Sequence, residues 1–197
     1  MQSICVFCGS HNGSNEKFTA AAVETGQLIA KKNLTLVYGG ARVGLMGAVA
    51  DAALRASGAV IGVIPESLVA KEIAHTGITE LKIVKTMHER KAAMSELSDG
   101  FIALPGGYGT LEEFCEMLTW SMLGLRKAPC GLLNIDGFFD HLLRFFDWSA
   151  ECDFISKEHR QLVLVSDSPV DLLKQMEEFK YTAAERYYES SKADKSR

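Results

Sequence analysis

Along this chain the apolar residues keep two alternating rhythms. Short runs at 3–7, 34–38, 59–64, 80–84, 100–104, 131–135 and 162–165 are too brief for helices and are bounded by turn formers, so each reads as a strand. Between them apolar positions recur every three or four residues. The segment 16–32 puts Phe18, Ala22, Thr25, Leu28 and Ile29 at helical spacing, and 110–123 carries a stripe of Leu111, Phe114, Leu118 and Met122. Helices also read over 87–97, over 138–149, from Ser168-Pro169 to about residue 179, and over the stretch holding Ala48, Val49, Ala52, Ala53 and Leu54. The alanines of that last helix predict close packing on a sheet. The segment 66–79 is loop-like with one helical turn. Strand and helix alternating throughout predict an α/β fold, a parallel sheet with helices on both faces. One domain is expected over 1–179, followed by a polar tail over 180–197 that frays.

Composition narrows the function classes. A chain of 197 residues with 47% apolar and 23% charged residues is neither disordered nor fibrous. Its net charge of -4 argues against nucleic acid and anionic membrane as partners, which need a basic field. No apolar run approaches a bilayer span, and Met1-Gln2-Ser3 leads straight into a strand rather than a signal peptide. The five cysteines are an odd number scattered through apolar segments. Cys5 and Cys8 form a C-x-x-C within strand-like sequence, where residues three apart face opposite ways, and no second pair completes a zinc site. Free buried thiols and a cytoplasmic location are the expectation.

The candidate chemistry begins where the strand at 100–104 ends. Pro105 stops it, and Gly106, Gly107 and Gly109 make a loop that lets a ligand approach the backbone. Thr110 is a good N-cap and Glu113 completes a capping-box spacing. A helix N-terminus behind such a loop is an anion site, most often for phosphate. Two carboxylates, Glu112 and Glu113, beside an anion site are unexpected unless one does chemistry next to the phosphate, on a sugar for example. A second glycine-rich turn spans 39–47. Neither turn has the G-x-G-x-x-G spacing with a following acidic residue that holds a dinucleotide, and neither ends in the Gly-Lys-Ser/Thr of a P-loop. Both can also be read merely as tight helix entries, although glycine-rich turns at strand ends are where ligands bind in open α/β sheets. Arg90 falls between Met87, Met94 and Leu97 on a helix. An arginine in an apolar stripe must snorkel to water or meet an anion, either a ligand or a structural carboxylate. Lys91 alone reads as a solvated charge. The five histidines, at 11, 75, 88, 141 and 159, are dispersed, so no metal is expected.

Pro-Gly-Gly-Tyr-Gly-Thr-Leu-Glu-Glu at 105–113, Met-His-Glu-Arg-Lys at 87–91 and Tyr-Gly-Gly-Ala-Arg-Val-Gly-Leu-Met-Gly at 38–47 closely resemble the Lonely Guy family. Cys-Val-Phe-Cys-Gly-Ser at 5–10, Gly-Val-Ile-Pro at 62–65 and Gly-Leu-Leu-Asn-Ile-Asp-Gly at 131–137 extend the likeness to nearly the whole chain before residue 180. The resemblance implies a Rossmann-like, doubly wound sheet and a homodimer with the active site near its interface. It implies hydrolysis of the N-glycosidic bond of AMP or N6-modified, cytokinin-type AMP, without a cofactor, to free base and ribose 5-phosphate. It carries a catalytic pair onto Arg90 and Glu113. It carries substrate binding onto Glu72, Lys91, Gly106, Gly107, Tyr108, Gly109, Thr110, Leu111, Glu112 and Thr119. Ala41-Arg42 departs from the Gly-Ser of many plant members.

The residues fit that chemistry on their own terms. Breaking a ribosyl C–N bond builds positive charge on the sugar, which an ionised carboxylate stabilises. A carboxylate in a first helical turn is expected to be kept ionised by the helix dipole. Two rivals stand beside this reading. A pyridoxal-phosphate decarboxylase would share the phosphate cup but needs a Schiff-base lysine and a larger chain, and a nucleotide carrier would keep the glycines with no use for the carboxylates.

Overall fold

Side chains alternate from face to face along every central strand, and both faces are apolar, so the sheet can only sit in the middle of the molecule. In this computed structural model, which describes residues 1–69 and 73–181, the strands are β1 (Ser3–Phe7), β2 (Thr35–Tyr38), β3 (Val60–Pro65), β4 (Glu80–Val84), β5 (Phe101–Ala103), β6 (Cys130–Leu133) and β7 (Val163–Ser166). All pair in parallel, in the order β4-β3-β2-β1-β5-β6-β7. The helices are α1 (Glu16–Lys31), α2 (Gly44–Arg55), α3 (Glu66–Val69), α4 (Met87–Glu96), α5 (Tyr108–Met122), α6 (Asp140–Glu151), α7 (Lys157–Arg160) and α8 (Pro169–Glu178). This is the Rossmann-like, doubly wound arrangement that the sequence predicts.

One apolar layer joins Ile4, Val6, Leu36, Tyr38, Ile102 and Leu104 to α1, α2 and α8 through Ile29, Val49 and Leu172. The other joins Cys5, Phe7, Val37, Phe101 and Ala103 to α4 and α5 through Met94, Phe114 and Met117. Truncating a ring as buried as Phe114 to alanine would cost about 3–5 kcal/mol. Helix α2 packs as closely as its alanines predict: Ala50, Ala52 and Ala53 are fully buried, and a Cβ on Gly26 of α1 would lie 2.2 Å from the Val49 carbonyl oxygen. Cys5 and Cys8 belong to opposite layers, and all five cysteines are free.

The chain winds from β1 outward to β4, then returns to place β5 on the other side of β1. That reversal opens a crevice beyond the carboxyl ends of β1 and β5, the usual ligand position in such sheets. The Gly9 N–H donates to the Pro105 carbonyl at 3.1 Å and holds the two turns together there.

Boundaries differ from the sequence expectation by a residue or two. Helix α6 starts later because the 3-10 turn Ile135–Gly137, with Asp136 at φ 55°, comes first. The single turn α7 was not expected; Ser156 caps it by accepting from the His159 N–H at 3.1 Å. The helical turn expected within 66–79 is α3. Glu72 and almost all of the 180–197 tail lie outside the described residues. Among the described residues no helix is long and apolar enough to cross a membrane.

Candidate active site

Helix α5 begins three residues earlier than the capping-box reading expects. Gly107 is its N-cap, without a side-chain bond, so Thr110 is not the cap and Glu113 does not close a box on it. Glycine is itself an acceptable N-cap, and packing decides between the two candidates. Thr110 is buried against Gly106, where an added Cβ would sit 2.2 Å from the Thr110 Oγ1. The capping-box spacing is realised on α4 instead, where Thr86 accepts from the Glu89 N–H at 3.1 Å and Glu89 accepts from the Lys85 N–H at 2.9 Å. That Thr-x-x-Glu was readable in the sequence.

Released from capping, Glu113 turns inward. Its carboxylate accepts a hydrogen bond from the guanidinium of Arg90, and the side chains of Arg90 and Glu113 are only 9% and 10% exposed. The Arg90 Nε donates to the Val63 carbonyl oxygen at the end of β3 at 3.0 Å. Gly39, just past β2, completes the seat, since a Cβ there would lie 2.2 Å from an Arg90 terminal nitrogen. Four elements therefore fix one guanidinium, and an arginine that the apolar stripe made anomalous has its anion.

Burial raises the Glu113 carboxyl above its ordinary value of 4.5, and the charge of Arg90 opposes that rise. The expectation that a helix dipole keeps it ionised is therefore corrected. Glu113 is not in the first turn of α5, and its neighbour Arg90 takes the part given to the dipole.

A second acid–base set lies alongside. The Lys91 ammonium bonds Glu112 and reaches Glu116 at 3.2 Å, and the Glu112 bond raises the lysine's pKa. Lys91 is thus not the free solvated charge it would be alone. Gly107 and Gly109 face open space, and Tyr108 is 95% exposed at the mouth. The structure brings together Arg90, Lys91, Gly106, Gly107, Tyr108, Gly109, Thr110, Glu112 and Glu113. Leu111 packs partly into the core beside them. Thr119 is elsewhere: it lies two to three turns down α5, donates to the Cys115 carbonyl at 2.8 Å, and lines an apolar groove with Leu118, Met122, Phe145 and Phe146. Gly39, the Val63 carbonyl and Glu116 were not anticipated, because each matters only through a side chain distant in sequence.

A parallel α/β sheet with a glycine-rich helix N-terminus at its switch point is the arrangement in which open sheets of this class take phosphate-bearing ligands, and here a buried Arg–Glu pair lies beside it. Comparison with known proteins gives the family. Residues 46–176 match the family model described as "Possible lysine decarboxylase". The chain is 49% identical over 176 residues to the probable cytokinin riboside 5'-monophosphate phosphoribohydrolase LOGL1 of Oryza sativa subsp. japonica, covering 89% of this chain and 79% of that one. Against the cytokinin riboside 5'-monophosphate phosphoribohydrolase LOG4 of Arabidopsis thaliana it is 46% identical, covering 89% and 82%. The chain belongs to this phosphoribohydrolase family. Among solved structures, a molybdenum cofactor binding protein from Rippkaea orientalis superposes with a TM-score of 0.68 at 24% identity, covering 89% of this chain and 95% of that one. At that identity the likeness concerns the fold alone.

Proposed function

We infer that this protein hydrolyses the N-glycosidic bond of adenosine 5'-monophosphates, N6-modified ones included, releasing the free base and ribose 5-phosphate. The observation that carries the reading in this chain is the buried Arg90–Glu113 pair beside the open glycine turn at residues 105–109. In the proposed reaction the 5'-phosphate rests on the N-terminus of α5, which has unpaired N–H groups and a favourable dipole. The sugar then lies beside Glu113. As the C1'–N bond breaks, its electron pair leaves with the base, which gains a proton, and the Glu113 carboxylate stabilises the cationic sugar and orients the water that adds to C1'. Arg90 holds that carboxylate in place. Lys91, Gly106, Gly107, Tyr108, Gly109, Thr110, Leu111 and Glu112 form the proposed binding surface, with Glu72 assigned by family likeness.

A homodimer is part of the proposal. Phe145, Trp148 and Phe154 are 61%, 62% and 85% exposed on and just after α6, beside the groove that contains Thr119. Pairing of two copies through this face would cover those rings and give Thr119 a route to a partner's substrate. Free thiols throughout support a reducing, cytoplasmic setting.

The test is incubation with AMP, N6-isopentenyl-AMP and the matching nucleosides, resolving free base from ribose 5-phosphate. Monophosphates should react and nucleosides hardly at all, since the phosphate's charge-assisted hydrogen bonds are worth roughly 1.5–3 kcal/mol each. Equal kcat/KM for a nucleoside and its monophosphate would remove the phosphate from the glycine turn.

A further inference from the structure

Opposite the N-terminus of α5 stands a second wall, made by the turn that follows β1. Gly9, Ser10, His11, Asn12 and Gly13 face Pro105, Gly106 and Gly107 across a cleft of about 310 Å³, with Leu45 and the rings of Phe18 and Phe138 closing its sides. The two walls are fastened to each other: Gly9 donates to Pro105, and a Cβ on Gly9 would lie 3.4 Å from the Gly106 Cα. The far side of the first wall is held as firmly. The Leu45 N–H donates to the Gly9 carbonyl at 3.1 Å, and Gly44, at φ 59°, lies so close that a Cβ would fall 2.4 Å from the His11 nitrogen. The cleft is therefore a formed cavity between two braced turns.

Its chemistry is that of an anion site. None of the backbone N–H groups of residues 10–13 and 106–110 has a protein hydrogen-bond partner among the described residues. A run of unpaired backbone donors in a turn is a concavity for oxyanions. The side chains add to it: the Ser10 hydroxyl and the His11 Nδ1 lie 3.3 Å apart on the rim, both exposed. No residue lining the cleft is acidic. The carboxylates of the site, Glu112, Glu113 and Glu116, are engaged by Arg90 and Lys91 instead.

We propose that the Ser10-His11-Asn12 turn is the second half of the phosphate site, so that the 5'-phosphate is held between it and the N-terminus of α5, with the Ser10 hydroxyl and the His11 imidazole as side-chain donors. This rests on the nucleotide reading above and names residues outside both the glycine turn at 105–113 and the Arg90–Glu113 pair.

The experiment measures three quantities on the wild type, Ser10→Glu and His11→Ala. They are the dissociation constant of ribose 5-phosphate by calorimetry, KM for AMP, and the kcat/KM ratio of N6-isopentenyl-AMP to AMP. Ser10→Glu sets a carboxylate against the phosphate, and both the dissociation constant and KM should rise about tenfold or more, with a smaller rise for His11→Ala. The ratio between the two nucleotides should stay put. A changed ratio with unaltered ribose 5-phosphate binding would overturn the proposal by giving the cleft to the base. Unaltered values of all three in folded variants would overturn it by showing that the turn touches no ligand. Should Ser10→Glu fail to fold, the double variant Ser10→Ala/His11→Ala reads the same quantities. Ribose 5-phosphate binding is measured without turnover, so a wild type that cleaves no nucleotide would refute the function while leaving this site decided on its own.

Discussion

An arginine and a glutamate under the surface of a protein each carry a desolvation cost of several kcal/mol, and only their mutual contact and additional hydrogen bonds offset it. Arg90 has both, from Glu113 and from the Val63 carbonyl. Arg90→Ala should therefore cost about 3–5 kcal/mol of stability, because it leaves a buried carboxylate alone. Glu113→Gln keeps the shape and one hydrogen bond but leaves the guanidinium without its counter-charge, so thermal unfolding should fall by less. Its kcat should nonetheless drop by about a hundredfold or more, as expected for loss of a preorganised electrostatic group. Steady-state kinetics and thermal melts on both variants check this, and a fully active Glu113→Gln would end the electrostatic role. The pH dependence follows from the direction of the Glu113 shift. Burial raises its pKa above 4.5, so the ionised form that the proposed reaction uses is lost as pH falls through that raised value. The acid limb of kcat/KM should therefore lie above the ordinary carboxylate range and disappear in Glu113→Gln. For stability the sign is opposite: the folded state binds the proton more tightly than the unfolded chain, so this group's contribution shrinks as pH rises through the same window. Arg90 was legible in the sequence because a charge inside an apolar stripe demands a partner. Which partner was not, because the candidate carboxylate had a credible local use as a cap.

That competition was settled at the level of elements. Gly107 and Thr110 both qualify as the start of α5, and local preference barely separates them. The Thr110 side chain found its place against Gly106, a contact that exists only once the turn has folded onto β1. The strands were far easier to read, since a parallel strand buried on both faces leaves an apolar run whatever its neighbours. Pairing order and the seat of Arg90 leave no such local trace. Gly39 shows the difference. In sequence it is one glycine in a tight turn, whereas in the structure it is the surface on which the guanidinium of a distant helix rests. Gly39→Ala needs no forbidden backbone angle, so its effect must come from the displaced arginine. It should lower kcat by about tenfold or more through a shift of roughly an ångström in the Arg90–Glu113 pair, with little change in the binding of ribose 5-phosphate. Unchanged turnover in Gly39→Ala would mean that Arg90 can move without consequence.

At the scale of the whole molecule, the sheet delivers its ligand-facing turns to one edge and leaves an apolar face on another. Helix α6 has no fully buried residue, although Leu142, Leu143 and Phe146 pack partly onto the core. Trp120 is half-buried there too, so of the two tryptophans only Trp148 stays an exposed ring. Phe145, Trp148 and Phe154 are large rings that a solitary domain would hold in water at a cost, and exposed apolar surface of this kind marks interaction surfaces. A stable dimer needs about 800 Å² from each partner, which requires the whole α5–α6 face and not the three rings alone. The groove containing Leu118, Thr119 and Met122 lies within that face. Charged substitutions at Phe145 and Trp148, made together, should thus convert a dimer into a monomer in light scattering. Neither residue is among the hydrogen-bond or ion-pair partners of Arg90 and Glu113, so any accompanying rise in KM would report a contribution from the partner. Thr119→Ala separates the two effects: it leaves the dimer intact, and it raises KM only if that hydroxyl reaches the substrate of the other copy. A monomer at all concentrations in the unmodified protein would exclude both, and Thr119 would then be a helix-surface threonine bonded to its own backbone.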